Sequence, residues 1–230
     1  NITTDNLAFE VVVHAATVLS TIVVFRREIW SLISGFFKFK YNSETSYILK
    51  IGVSMIPVFI VGIFFKDFVT SIFASGLLVV GVSLLITSML LFLTNSIKKT
   101  SEGEVTYLKA FIIGIAQAFA VLPGISRSGA TISVGLLVGV DKERVAKFSF
   151  LMVLIPILGE TFLELISGDF AGETSGIDPI SLFGGFVAAF AAGLFACKTM
   201  IALVKRVKLT GFAIYCLIIG LGAILYSLIS

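Results

Sequence analysis

The segment that decides the fold runs from Leu108 to Val140 and reads LKAFIIGIAQAFAVLPGISRSGATISVGLLVGV. It contains two apolar pieces, 108–122 and 130–140, separated by a polar stretch that begins with a Pro-Gly pair. As helices these pieces would be about 22 and 16 Å long, which is shorter than a hydrocarbon core of about 30 Å. Basic residues occur on both sides, so the segment predicts a re-entrant helical hairpin that enters and leaves by the same face, with its tip near mid-membrane.

The composition places the whole chain in a membrane. Its 230 residues are 57% hydrophobic and 13% charged, and the mean hydropathy is +1.08, far above the range of soluble domains. Apolar windows of about 20 residues predict helices, because the strands of a membrane barrel alternate apolar and polar residues and are only about 10 residues long. The net charge of +3 fits basic cytoplasmic loops and does not indicate nucleic-acid binding. We expect an all-α polytopic protein that forms a single membrane domain, 1–230.

Six spanning helices are predicted besides the hairpin, and they are expected at 7–25, 48–65, 72–94, 142–166, 179–204 and 211–229. The loops rich in Lys and Arg are assigned to the cytoplasm, and the acidic loop 167–178 to the outside. Both ends of this chain are then external. The chain is then predicted to cross the membrane several times.

Three predicted spans precede the hairpin and three follow it. Because three is odd, the second set is inserted upside down, which is typical of inverted-topology repeats. We expect repeat 1 at 7–94 and repeat 2 at 108–229, the alternative being that the equal numbers are a coincidence. Repeat 1 has no hairpin before it, so we expect roughly 35 to 40 further residues with a partner hairpin upstream of Asn1.

The polar stretch of the hairpin is the candidate site. Arg127 is a charge near mid-membrane, which is costly and usually marks function, although a structural ion pair is the alternative. Its planar fork suits two oxygens of a phosphate group. The neighbouring hydroxyls can donate to phosphate, act as a nucleophile or satisfy the broken backbone; the predicted catalytic residues are Arg127, Ser126, Ser128 and Thr131.

Further polar or small residues are predicted to bind substrate. Gly124 and Gly129 shape the backbone, and Gln117 lies six residues before Pro123, where it either lines the cavity or packs between helices. Glu10 and the single histidine, His14, are four residues apart and share a helix face. They either handle protons or contact a metal in the cavity, or they form a polar pair near the membrane surface or between helices. No residue of this chain is predicted as a metal ligand.

The polar stretch closely resembles the signature Pro-Gly-x-Ser-Arg-Ser-Gly-x-Thr of the bacterial undecaprenyl-pyrophosphate phosphatases, the membrane enzymes first linked to bacitracin resistance. The segments Phe9-Glu10-Val11-Val12 and Phe148-Ser149-Phe150-Leu151 carry the resemblance through most of the chain. The fixed positions are matched by Pro123, Gly124, Ser126, Arg127, Ser128, Gly129 and Thr131. The other motif of the family, an acidic Glu-x-x-x-Glu segment followed by Pro-x-Ser-Ser-x-Gly-His, belongs to the first hairpin and is expected upstream.

The resemblance implies hydrolysis of undecaprenyl pyrophosphate to undecaprenyl phosphate and inorganic phosphate, which recycles the lipid carrier of cell-wall synthesis. It also implies a divalent cation, Mg²⁺ or Ca²⁺, a location in the plasma (inner) membrane of a bacterium, and a site that faces the outside or periplasm. The expected partners are the substrate and membrane lipid, and a homodimer is left open. The alternative is a transporter or flippase of an anionic lipid phosphate or another anion, because inverted repeats with broken helices are common in transporters.

Overall fold

A computed structural model describes residues 4–73, 76–95, 103–166, 179–206 and 210–229. These described ranges hold ten helices and no strand, which confirms the all-α polytopic class. The helices are α1 Thr4–Val24, α2 Arg26–Phe36, α3 Ser43–Phe64, α4 Lys66–Phe73, α5 Leu77–Asn95, α6 Tyr107–Phe119, α7 Arg127–Leu137, α8 Lys142–Ile166, α9 Pro179–Arg206 and α10 Thr210–Ile229.

Helices α3, α5, α9 and α10 are long and apolar enough to cross a membrane. They coincide with four of the six predicted spans. The other two predicted spans fall on α1 and α8, of 21 and 25 residues, which correspond to about 31 and 37 Å of helix. The predicted outer loop 167–178 lies outside the described residues.

Two short helices occupy segments that were expected to be loops. Helix α2 follows α1 directly, and α4 lies in the turn after α3, where Ile72 was wrongly predicted to open the next span. The span α5 begins only at Leu77, because Gly76 has a φ of +79° and separates it from α4. Both short helices mix polar and apolar residues, so neither produces the long apolar run by which a span is recognised.

The chain forms two compact units. The first contains residues 1–40 and 153–203, and the second contains 41–152 and 204–230. The predicted inverted repeats, 7–94 and 108–229, are defined by their opposite orientations in the membrane, and they remain a prediction.

In the second unit, small residues let the helices approach closely. Gly81 of α5 lies against Gly220 of α10, where a Cβ added to Gly81 would be 2.9 Å from the Gly220 carbonyl oxygen. Two turns further along α5, the hydroxyl of Ser88 donates to the carbonyl of Ala213 in α10 at 2.7 Å. Small residues and interhelical hydrogen bonds of this kind hold helices together in lipid, where the hydrophobic effect between helices is absent.

Helices α3 and α6 approach each other in the same way. Gly114 of α6 packs on the backbone of Ser54 in α3 so closely that a Cβ has no room. The base of the hairpin is tied as well, because the Lys109 ammonium donates to the Gly139 carbonyl at 3.2 Å. The carboxylate of Asp141 accepts from the backbone N–H of Arg144 at 3.2 Å and so caps the start of α8.

In the first unit, α1 and α9 are close at two points. Gly193 faces the hydroxyl of Ser20, and one turn further on the Thr21 hydroxyl lies 3.6 Å from the Cys197 sulfur. Cys197 is a free thiol, as is Cys216 of the second unit.

Candidate active site

The predicted helix, break and helix of the hairpin are confirmed. Helices α6 and α7 have 13 and 11 residues and are separated by residues 120–126. The second helix starts at Arg127, three residues before the apolar piece that was predicted to form it. The reason is local, because Ser126 caps the helix and so brings the polar residues that follow it into the first turn.

Ser126 is a capping residue with both of its oxygens engaged. Its hydroxyl accepts from the backbone N–H of Gly129 at 3.2 Å, and its carbonyl accepts from the N–H of Ala130 at 2.8 Å. The N–H groups of Arg127 and Ser128 precede the first helical hydrogen bond, and neither donates to any group that the structure describes. The positive end of the helix dipole adds to these two donors, so the start of α7 favours an anion.

Arg127 is the exposed side chain at this helix start. Within the described ranges its guanidinium forms no ion pair, in contrast to Arg144, which lies 2.9 Å from Glu104. The side chain of Ser128 is half-buried, and its hydroxyl makes no hydrogen bond within those ranges. A guanidinium, a hydroxyl and two backbone N–H groups therefore occur together at the first turn of α7, and all are donors that suit phosphate oxygens.

The tip of the hairpin rests on α5. The backbone N–H of Ser126 donates to the hydroxyl of Thr87 at 3.1 Å, and that hydroxyl donates to the Ser83 carbonyl at 3.1 Å. Gly124 has a φ of +90°, and a Cβ added there would be 2.6 Å from the carbonyl oxygen of Val80. The tip thus needs glycine for both conformation and space. The sequence analysis did not predict a role for Thr87. The available signal was that three hydroxyl residues, Ser83, Thr87 and Ser88, lie close together within an otherwise apolar span.

Thr131 lies beneath this surface and has no exposed area. Its hydroxyl donates to the Arg127 carbonyl at 2.9 Å and lies 2.5 Å from the hydroxyl of Ser149 on α8. Since the Thr131 proton is directed at a carbonyl, Ser149 is the donor between the two hydroxyls. In this geometry Thr131 fixes the first turn of α7 to α8, whereas its predicted catalytic role remains a prediction.

Two buried polar atoms lie deeper in the hairpin. The side-chain carbonyl oxygen of Gln117 and the hydroxyl of Ser133 have no hydrogen-bond partner among the described residues. Gln117 is only 2% exposed, so its side chain is buried. Gly129 is also buried, and a Cβ added to it would lie 2.9 Å from the Ser126 hydroxyl oxygen, so that it keeps the cap compact.

Glu10 and His14 belong to α1, which lies in the first unit, whereas the hairpin belongs to the second. Both residues are helical as predicted, and the His14 side chain is half-buried. The His14 carbonyl accepts from the hydroxyl of Thr17 at 2.7 Å. The side chain of Glu10 lies outside what the structure describes, and the roles of both residues remain predictions.

The hairpin alone does not fit a divalent cation. Mg²⁺ and Ca²⁺ prefer oxygen ligands that include carboxylates, but residues 107–140 contain no Asp or Glu and present the positive charge of Arg127. Across the described ranges, no group of three or more His, Cys, Asp or Glu residues is placed to hold a metal ion. We therefore derive no step at the tip through a metal.

The fold and the site define an integral membrane protein in which a broken-helix hairpin presents a guanidinium, a hydroxyl and two backbone N–H groups at its tip. Residues 1–222 match the family described as bacitracin resistance protein BacA, and the chain belongs to this family. The protein named undecaprenyl-diphosphatase from Bacteroides thetaiotaomicron is 52% identical over 228 residues, which cover 97% of this chain and 85% of the relative. A protein of the same name from Methanococcus vannielii is 40% identical over 225 residues, which cover 97% and 86%.

Proposed function

We propose that this protein hydrolyses undecaprenyl pyrophosphate, and that the start of α7 binds the pyrophosphate. Its relatives are named for this reaction, and it is a membrane protein of the same family. The observation that carries the site assignment is the position of Arg127 as the first residue of α7, beside the two N–H groups that lack a helical partner. Undecaprenyl pyrophosphate and water give undecaprenyl phosphate and inorganic phosphate, as one P–O bond of the pyrophosphate bridge breaks and a new P–O bond forms to the water oxygen.

The proposed chemistry is mainly positioning and charge stabilisation. The Arg127 guanidinium holds two oxygens of the pyrophosphate, and the N–H groups of Arg127 and Ser128 bind a third. Negative charge on the transferring phosphoryl group and on the leaving phosphate is balanced by these fixed donors. The Ser128 hydroxyl is the side-chain oxygen best placed to donate to substrate, whereas the Ser126 hydroxyl accepts from Gly129 and completes the helix cap.

We also propose that the reaction needs Mg²⁺ or Ca²⁺ and that the site opens to the outer face of the plasma membrane. The carboxylate ligands of the cation come from outside residues 107–140, since this segment has none. The basic residues beside the two ends of the hairpin support the proposal that the hairpin enters the membrane from the cytoplasmic face, with its tip pointing toward the outer face. Removal of the cation with EDTA is expected to abolish phosphate release, and an excess of Mg²⁺ or Ca²⁺ to restore it. Unchanged release in EDTA would contradict the requirement.

The decisive experiment uses purified protein in detergent with undecaprenyl pyrophosphate and a divalent cation. An enzyme releases inorganic phosphate under these conditions, because it needs neither a sealed membrane nor a gradient. A carrier of lipid phosphate would release none in detergent and would move its substrate only across the bilayer of closed vesicles. A folded protein without phosphate release in detergent would overturn the proposed hydrolysis.

A further inference from the structure

Helix α2 carries an exposed apolar face that the phosphatase reaction does not use. Trp30, Ile33 and Phe37 recur at helical spacing along this face, and Trp30 and Phe37 are 72% and 65% exposed. The adjacent face, about 100° around the helix, carries Arg27, Ser31 and Ser34, and Lys38 follows two residues after the helix ends; all four are exposed. The helix is therefore amphipathic, with bulky apolar residues on one exposed face and charges and hydroxyls on the exposed face beside it.

This helix cannot continue the membrane crossing of α1. It has 11 residues, which make about 16 Å of helix, and its polar face has no place in hydrocarbon. Phe25, with φ −96° and ψ 15°, departs from helical geometry and separates α1 from α2. Since α2 starts two residues after the end of α1, it is tethered at the level where that predicted span leaves the hydrocarbon.

The charges around α2 are strongly unequal. Between positions 26 and 40 there are four cations and one acid, and each of the four cations is exposed; they are Arg26, Arg27, Lys38 and Lys40. Exposed aromatics and cations on one short helix are typical of segments that lie in the membrane interface. Cations at this level are attracted by anionic lipid headgroups.

We propose that α2 lies in the plane of the membrane interface and binds the headgroups of anionic phospholipids. The apolar face, with Trp30, Ile33 and Phe37, enters the boundary between headgroups and acyl chains. Arg27 and Lys38, on the adjacent exposed side, bind lipid phosphates, with their aliphatic stems along the helix. This inference does not depend on the proposed reaction, because it concerns a separate surface and its test measures lipid contact in the absence of substrate.

Trp30 is the only tryptophan of the chain, so its fluorescence reports on α2 alone. The protein is placed in vesicles of phosphatidylcholine and phosphatidylglycerol, with bromine on the acyl chains of one lipid or the other. We expect blue-shifted emission, stronger quenching by bromines near the headgroup than by bromines near the chain end, and stronger quenching by brominated phosphatidylglycerol than by an equal fraction of brominated phosphatidylcholine. Emission typical of water-exposed indole, quenched by aqueous iodide and not by lipid, would overturn the placement. Equal quenching by both lipids would overturn the preference for anionic headgroups.

A double variant without the two charges tests whether Arg27 and Lys38 bind anionic lipid. In R27Q/K38Q, each lost cation is expected to lower the association of phosphatidylglycerol near Trp30 by about fivefold, so the quenching ratio of the two lipids falls toward one. Lys147→Gln is the matched control, because that ammonium lies 3.5 Å from Glu143 on α8, and it should leave the ratio unchanged. If the double variant does not fold, high salt applied to the wild type should lower the ratio by screening. A ratio unaffected by both the variant and salt would contradict the assignment.

Discussion

The backbone N–H of Ser126 donates a hydrogen bond to the hydroxyl of Thr87 at 3.1 Å, which fixes the cap of α7 to the neighbouring helix α5. The hairpin tip is held from two sides, since the Thr131 hydroxyl on the first turn of α7 also contacts Ser149 of α8. The donors proposed to bind pyrophosphate therefore sit on a helix start whose position depends on residues outside the signature.

Thr87→Val keeps the side-chain shape but removes the acceptor for the Ser126 N–H. We expect a loss of about 1–2 kcal/mol in the free energy of unfolding, since a half-buried donor is left unpaired, together with about a tenfold fall in kcat. Thermal unfolding and phosphate release in detergent measure the two effects. Thr94→Val on the same helix is the control, because its hydroxyl donates only to the carbonyl of Leu91 at 2.6 Å. Equal effects of both substitutions would argue against a special role for Thr87.

Arg127→Lys is expected to lower kcat/KM by about 10²–10³-fold while the protein remains folded. Lysine keeps the charge but cannot hold two phosphate oxygens with a planar fork. Phosphate release and far-ultraviolet circular dichroism check activity and fold. Arg144→Lys should retain activity, because that exposed guanidinium pairs with Glu104 at the base of the hairpin. Near-normal turnover in Arg127→Lys would remove this residue from the proposed site.

Gly124→Ala is expected to destabilise the hairpin tip. A residue with a Cβ is strained at a φ of +90°, at a cost of about 1–3 kcal/mol, and here the Cβ would also approach the carbonyl oxygen of Val80 to 2.6 Å. The midpoint of thermal unfolding should fall, and phosphate release should fall with it. Gly222→Ala on α10 meets open space and should leave the midpoint unchanged or raised. An unchanged midpoint in Gly124→Ala would mean that the tip adapts to the new side chain.

Tyr41, in the segment between α2 and α3, should ionise at a lower pH than an ordinary tyrosine. A hydrogen bond with the Tyr107 hydroxyl at 3.0 Å, followed by smaller effects of Ser46 and of the Lys50 ammonium, lowers the pKa of Tyr41 from its usual 10.0. These groups favour the phenolate, so Tyr107→Phe should raise that pKa. Titration by ultraviolet absorbance detects the change.

The Tyr41 transition is identified by its loss in Tyr41→Phe. Tyr226→Phe serves as the control, since it removes an exposed tyrosine of α10 and should leave the Tyr41 transition in place. A Tyr41 midpoint that does not move in Tyr107→Phe would contradict the assigned cause.

Much of the fold could be predicted because it depends on local composition. Long apolar windows marked α3, α5, α9 and α10, and the Pro-Gly pair marked the break between α6 and α7. The amphipathic helix α2 was missed because the search was for long apolar runs, and the apolar residues of α2 form one face of the helix. The start of α7 was placed too late, since the apolar pattern begins after the first turn that Ser126 caps.

The sequence by itself determined the membrane class, the broken-helix hairpin, the Asp141 cap and the arginine that stands in the polar stretch. These follow from hydrophobicity, spacing and capping, which act over a few neighbouring residues. Only the tertiary structure decided that Thr87 and Ser149 hold the tip, since they lie 39 and 18 residues from their partners Ser126 and Thr131. A hydroxyl in an apolar helix carries no local sign of its partner, because that partner is set by how the helices pack.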